Sequence, residues 1–209
     1  LLAFVSARHA EREFDSASDL WIVSAKGGEV RQVTPTAGAR GAPSWSPDGT
    51  KIAHIHHPDW PSNGTRTVSG ADGTGETDGS GGIDREMGAG GLPGAVAQPA
   101  WLPGGGILTV AADRGESSLW LAGGPDAGRW LARNAAMTSW YSVDRSGLRA
   151  AVVSSTQTSP AEVSIVNLES GASRQLTSFN AGWSAEVALG RAEKFVVTTD
   201  AGTEVDCWL

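Results

Sequence analysis

Four tryptophans mark a string that recurs along the chain: a tryptophan, a tight polar turn, an apolar strand, then a second strand and turn. Trp45, Trp101, Trp140 and Trp183 stand 56, 39 and 43 residues apart, a mean of 46. The clearest copy is Ser44-Trp45-Ser46-Pro47-Asp48-Gly49, followed by Lys51-Ile52-Ala53-His54-Ile55. Echoes start at Ala100-Trp101-Leu102-Pro103-Gly104-Gly105, at Ser139-Trp140-Tyr141-Ser142 and, faintly, at Gly182-Trp183. A unit of this length cannot bury its own apolar face, so neighbouring units must stack. Short strands at this period are blades of a β-propeller, and the expected fold is all-β: a partial β-propeller of about four four-stranded antiparallel blades.

Each blade needs strands A to D fanning out from a central channel. The tryptophan segment fits strand A, and Ser46-Pro47-Asp48-Gly49 fits the A–B turn. Proline presets φ there, the Asp carboxylate caps the turn, and Gly accepts positive φ. Strand B recurs as Leu1 to Ser6, Ile52 to His56, Ile107 to Ala112 and Leu148 to Ser154. Strand C recurs as Asp19-Leu20-Trp21-Ile22-Val23, Ser118-Leu119-Trp120-Leu121-Ala122 and Glu162-Val163-Ser164-Ile165-Val166. Strand D follows a Gly turn as Val30-Arg31-Gln32-Val33-Thr34 and Ser173-Arg174-Gln175-Leu176-Thr177. Blade one, lacking strand A, then covers 1–35, blade two 44–98, blade three 99–137 and blade four 139–180, with a further strand pair beginning in 182–209. In blade two, residues 58–98 are Gly-rich and irregular with no clear strand C. They are either an insertion or mobile loop, or poorly formed outer strands.

The 28 glycines among 209 residues fit many turns, and no stretch carries convincing helical periodicity. A net charge of −7 argues against nucleic acid as a partner, since phosphate binding needs clustered Lys and Arg. No apolar run approaches the roughly 20 residues that span a bilayer, so no membrane partner is expected. Cys207 is the single cysteine, which excludes an internal disulfide and mildly favours a reducing compartment. The chain opens inside a strand-like run at Leu1 and stops mid-pattern at Leu209. It reads as a piece of a longer protein whose leader, if any, lies elsewhere. Four blades leave two uncovered faces, so association, including a homo-oligomer, is expected of the piece alone.

Candidate chemistry is sparse. A Gly-x-Ser-x-Gly nucleophile elbow is absent from the chain. Asp78-Gly79-Ser80-Gly81-Gly82 only loosely resembles a protease nucleophile loop and reads as a linker. His54, His56 and His57 form a His cluster near Asp59; on a strand, 54 and 56 share a face, but no third and fourth metal ligand is indicated. Asp72, Glu76, Asp78 and Asp84 lie in a Gly-rich run, yet their spacing fails the twelve-residue calcium loop. Asn63-Gly64-Thr65 is a formal glycosylation acceptor. The nine tryptophans offer stacking surface for sugars or bases, but the four at repeat positions read as packing between blades. No residue is assigned as catalytic, cofactor-binding or metal-ligating, and no cofactor is expected.

An ordered set of strings resembles the propeller of the prolyl oligopeptidase family, especially its acylaminoacyl-peptidase-like branch. They are Phe4-Val5-Ser6-Ala7-Arg8-His9, Asp19-Leu20-Trp21-Ile22-Val23 with Gly27-Gly28, Arg31-Gln32-Val33-Thr34 and Pro43-Ser44-Trp45-Ser46-Pro47-Asp48-Gly49. Ile83-Asp84-Arg85-Glu86, Gln98-Pro99-Ala100-Trp101 and Arg174-Gln175-Leu176-Thr177-Ser178-Phe179-Asn180 complete the set. Residues 200–209 resemble the crossing from such a propeller into a hydrolase domain. The Trp-Ser-Pro-Asp-Gly string by itself is shared with TolB-like propellers. Two departures stand out: Gly104-Gly105 replaces Asp-Gly in the blade-three turn, and blade two lacks the family's aromatic-aliphatic strand C.

The resemblance implies propeller blades over 1–181, part of a seven-bladed ring. Residues 182–209 would hold the last strands and the crossing into a missing α/β-hydrolase domain. It further implies a cytoplasmic serine-type peptidase whose propeller admits short peptides to a Ser, Asp and His triad on that domain. The triad has no counterpart here, so the chain alone is expected to be inactive. A non-enzymatic TolB-like propeller that binds protein partners is the alternative. A glycan-binding or lyase propeller rests on tryptophan count alone.

Overall fold

A computed structural model describes residues 1–59, 64–88, 97–123, 128–134 and 136–209. Blade one contains β1 (Leu2–Ser6), β2 (Asp19–Val23) and β3 (Arg31–Gln32), paired in that order. Blade two contains β4 (Ala39–Trp45), β5 (Lys51–His57), β6 (Thr65–Gly70) and β7 (Glu76–Asp78), again in chain order. Blade three contains β8 (Ala100–Trp101), β9 (Ile107–Asp113), β10 (Glu116–Ala122) and β11 (Arg129–Leu131). Blade four contains β12 (Met137–Val143), β13 (Arg149–Thr156), β14 (Ser159–Asn167) and β15 (Ser173–Gln175). Neighbouring strands within each blade are antiparallel; one parallel bridge, Ser117 to Met137, joins blades three and four.

The A–B turns form as their chemistry requires. The Asp48 carboxylate accepts from Ser46 Oγ at 2.6 Å, Thr50 N at 3.0 Å and Thr50 Oγ1 at 2.8 Å, while Gly49 takes φ 70°. These donors, Ser46 first, hold the Asp48 carboxyl down at about 2. In blade four Asp144 plays the same part toward Ser146 Oγ and the backbone N–H groups of Leu148 and Arg149.

Blade two corrects the expectation of an irregular 58–98. Residues Thr65–Gly70 and Glu76–Asp78 are its strands C and D, with β6 registered on β5 from Lys51↔Gly70 to His56↔Thr65. The apolar pattern that marks strand C elsewhere is missing because this strand buries polar side chains instead. Arg66 is 0% and Ser69 2% exposed. Arg66 donates to Ile107 O at 2.8 Å, to Thr109 Oγ1 at 3.0 Å and to Gly79 O, so its guanidinium clamps blade two onto blade three. Part of the same stretch, 60–63 and 89–96, lies outside the described residues, as does the acceptor Asn63 of the glycosylation string.

The core sits between blades. Leu20, Ile22 and Val33 of blade one meet Ile52 of blade two. Ile55 of blade two meets Ala111, Trp120 and Ala122 of blade three through Met87. Leu119, Leu121 and Leu131 of blade three meet Ala150, Val152 and Val166 of blade four. Stacking buries on each inner sheet face what one blade alone would expose, at roughly 25 cal/mol per Å² of apolar area.

Beyond blade four the chain turns at a buried carboxylate. Glu162 accepts from Thr177 Oγ1, from Phe179 N at 3.1 Å and from Asn180 N at 2.8 Å. Helix α1 (Ala181–Glu186) follows, so the faint echo at Gly182-Trp183 is helical and not another strand A. With its backbone turned there by Glu162, Trp183 stays 47% exposed. The hairpin of β16 (Lys194–Thr198) and β17 (Glu204–Trp208) comes next. It leans on the β9–β10 turn through Arg114, which grips Asp206 with two bonds of 2.7 Å. Among the described residues no helix is long and apolar enough to cross a membrane.

Candidate channel site

The A strands form the inner edge of each blade and therefore carry residues a ladder interior would reject. Pro43 sits in β4 and Pro99 directly before β8, because an edge strand needs no N–H on its open side. In β4 the register slips between Gly41↔Ile55 and Ser44↔Ala53, and Ala42 adopts φ 51°. In β12 a second slip falls between Thr138 and Trp140. Such bulges re-aim side chains at functional rims.

Together these edges and β1 line a cavity of about 1150 Å³. Its walls include Phe4, Ala42, Pro43, Trp101, Trp140 and Tyr141, with Gln98, Ser44 and Ser142 as polar points. Among the described residues, charge enters the lining at Asp144 and Arg145. The wall is stapled from blade to blade. Trp101 Nε1 donates to Ser44 O at 3.1 Å and Gln98 Nε2 to Pro43 O at 3.2 Å. The Tyr141 hydroxyl shares its proton between Leu108 O, at 2.8 Å, and Gln98 O. Burial pushes the Tyr141 phenol up, so it stays a neutral donor.

This placement corrects the reading of the repeat tryptophans as core at two positions, while Trp45 packs, as expected, against the apolar cluster between blades one and two. Trp101 and Trp140 border the channel, with Trp140 40% exposed, whereas the buried indole is Trp120 of strand C at 3%. Trp120 Nε1 donates to Ser80 O at 2.8 Å. The repeat spacing found the strands; it could not tell which face of each strand looked inward.

The remaining candidates resolve into structural roles. Ser80 is 4% exposed, and its hydroxyl donates to Asp78 Oδ2 at 2.8 Å in a local turn. His54 and His56 diverge in their bonding: His54 Nε2 meets Ser69 Oγ at 3.0 Å, and His56 Nε2 meets Ala37 O at 2.9 Å. Ser69, His54 and Glu76 make a superficial nucleophile–base–acid set. However, Glu76 lies 3.7 Å from the same Nε2 that meets Ser69, so Glu76 cannot orient His54 through its other nitrogen as a triad acid does. Both Ser69 and His54 are also shut away from solvent, at 2% and 0% exposure. Glu76 is instead held by the guanidinium of Arg40, while Asp72 caps its own turn at Thr74. Among the described residues no three His, Cys, Asp or Glu side chains gather as a metal site. The channel thus offers apolar and aromatic surface with carbonyl and amide groups.

No family model and no curated protein sequence matches the chain. Solved structures do. Pyrococcus horikoshii acylaminoacyl peptidase superposes with a TM-score of 0.66 at 20% identity, covering 92% of this chain and 28% of that one. A puromycin-hydrolyzing peptidase of Mycobacterium tuberculosis gives 0.67 at 17%, covering 99% and 31%. TolB from Acinetobacter baumannii gives 0.62 at 18%, covering 84% and 40%. The chain spans well under half the length of each of these. At such identities the likeness speaks to architecture, and with the blades described above it establishes that this chain is a partial β-propeller.

Proposed function

We propose that the chain is the substrate-gating propeller portion of a serine-type oligopeptidase or exopeptidase that hydrolyses short peptides in the cytoplasm. The observation that carries this reading is the stapled channel wall, which lines a cavity of about 1150 Å³ with aromatic and apolar side chains and a few carbonyl and amide groups. Peptidase propellers among the solved neighbours support it, as does the ordered set of strings ending at residues 174–180. On this reading residues 1–181 belong to the gating ring, 182–209 lead into an α/β-hydrolase domain, and the peptide is cleaved on that domain. The 209-residue chain supplies passage and exclusion but no chemistry.

A second reading, a non-enzymatic TolB-like propeller that binds a protein segment at the channel mouth, is favoured by the TolB likeness. The two part in the parent reading frame. Translating about 250 further residues downstream, a domain's length, must reveal an elbow serine followed by Asp and His for the peptidase reading to stand. The extended protein should then hydrolyse peptide p-nitroanilides, and the 209-residue chain should not. A frame that closes soon after Leu209, or continues without the elbow serine, overturns the peptidase reading.

A further inference from the structure

The inner edges of blades two, three and four are not alike. One hydrogen bond closes each A–B turn at the same place: Ser46 N–H to Lys51 O at 2.9 Å, Leu102 N–H to Gly106 O at 2.8 Å and Asp144 N–H to Arg149 O at 2.9 Å. Along an antiparallel strand the main-chain groups point alternately toward the partner and away from it. In β12 the residues one and three places before Asp144 are Val143 and Tyr141, registered without a break on Ala150 and Val152. Both therefore turn their N–H and C=O away from β13, toward the channel. The equivalent positions are Trp45 and Pro43 in blade two, and Trp101 and Pro99 in blade three. Proline has no N–H to offer there.

Edge prolines and slipped registers protect a strand from pairing with another chain. Blade two has both, at Pro43 and between Gly41 and Ser44, and blade three has Pro99. From Trp140 to Val143, β12 has neither, since its own slip falls earlier, between Thr138 and Trp140. The six consecutive residues from Trp140 to Arg145 all line the channel cavity. An A strand borders the channel whatever stands beside its blade: β8, with a blade on either side, lines the same cavity. The two charges at the end of this edge differ in their freedom. The Asp144 carboxylate already accepts from Ser146 Oγ, Leu148 N and Arg149 N. Arg145 is exposed and has no partner among the described residues.

We propose that the channel-side edge of β12 takes up an extended peptide as an added strand, through the main-chain groups of Tyr141 and Val143, with the peptide's terminal carboxylate on Arg145. The inference rests on the channel as a passage for peptides, proposed above, and specifies how the passing segment is held. Strand addition draws its affinity from main-chain hydrogen bonds, so it accepts varied side chains. It refuses a folded segment, whose main-chain groups are already paired. Because β12 runs from Tyr141 toward Arg145, a peptide with its carboxylate at Arg145 lies parallel to it. The guanidinium and the carboxylate form a charge-assisted contact that fixes this direction.

Fluorescence anisotropy reads the contact, with the 209-residue chain and an N-terminally labelled hexapeptide of alternating valine and threonine whose carboxylate is free. A strand edge uses only one of the two alternate sets of amides in a peptide. N-methylation of one set should therefore weaken binding by about tenfold or more, and N-methylation of the other should leave it within about twofold. Val143→Pro deletes a channel-side N–H without touching the bonds to β13, and should weaken the unmethylated peptide by about tenfold. The two methylated peptides decide the question on the unaltered protein, whether or not that variant folds. A C-terminal amide on the peptide, or Arg145→Gln in the protein, should each cost about fivefold, and both together no more than either alone. Absence of binding, equal loss from both methylated sets, loss from neither, or binding of the free carboxylate indifferent to Arg145→Gln would overturn the proposal. None of these outcomes bears on the peptidase reading, which the downstream frame decides separately.

Discussion

His54 gives the sharpest handle on how this propeller responds to acid. It is 0% exposed on β5, and burial first of all, then the charge of Arg40, drives its pKa from 6.5 to about 4 against the opposing pull of Glu76. The folded protein therefore keeps His54 neutral, while the unfolded chain takes up a proton as pH falls through 6.5. Stability is complete above that value, declines between pH 6.5 and 4, and declines no further from this group below about 4. A shift of this size is worth about 3 kcal/mol in full, and about 2 kcal/mol of it is already lost at pH 5. Urea unfolding at pH 7.5 and pH 5.0 reads the loss directly. Other groups contribute to it, among them His56, which burial also pushes down. The isolating comparison is His54→Gln, whose amide can take over the bond to Ser69. Its stability should fall less between the two pH values than the parent's does, by about 2 kcal/mol. Equal pH dependence in both proteins would refute the reasoning, as would a nuclear magnetic resonance titration placing His54 near 6.5.

Arg66→Ala removes the clamp between blades two and three and strands three acceptors, so the midpoint of urea unfolding should drop by an amount equal to about 2–4 kcal/mol. Arg66→Lys keeps the charge without the planar fork and should recover only part of that loss. Tyr141→Phe deletes the hydroxyl that staples blade four to blade three and should cost about 1–2 kcal/mol in the same assay. Gly147 has φ 71°, and a Cβ there would collide with Pro103 of blade three, so Gly147→Ala should destabilise by about 1–3 kcal/mol. The control Gly49→Ala shares the positive φ but meets no neighbour, and should cost less.

Local chemistry wrote much of this fold into the sequence. The Trp-turn-strand period placed three of the blades, because a Pro-Asp-Gly turn and an alternating apolar strand are decided within a few residues. Strand C of blade two escaped that reading. Its buried side chains are Arg66, Thr67 and Ser69, and whether a polar residue is buried depends on partners supplied from elsewhere, here Ile107 O and Thr109 on the neighbouring blade. The same limit hid the inward and outward faces of the tryptophans, the separate roles of His54 and His56, and the helical turn at Gly182-Trp183. What the sequence by itself determined is the kind of unit and how often it repeats, since strand and turn signals are short-range. Which side chains line the channel, which staple the blades and which faces remain uncovered were decided only when blade stacked on blade, because those properties belong to contacts between residues about 30 to 60 positions apart.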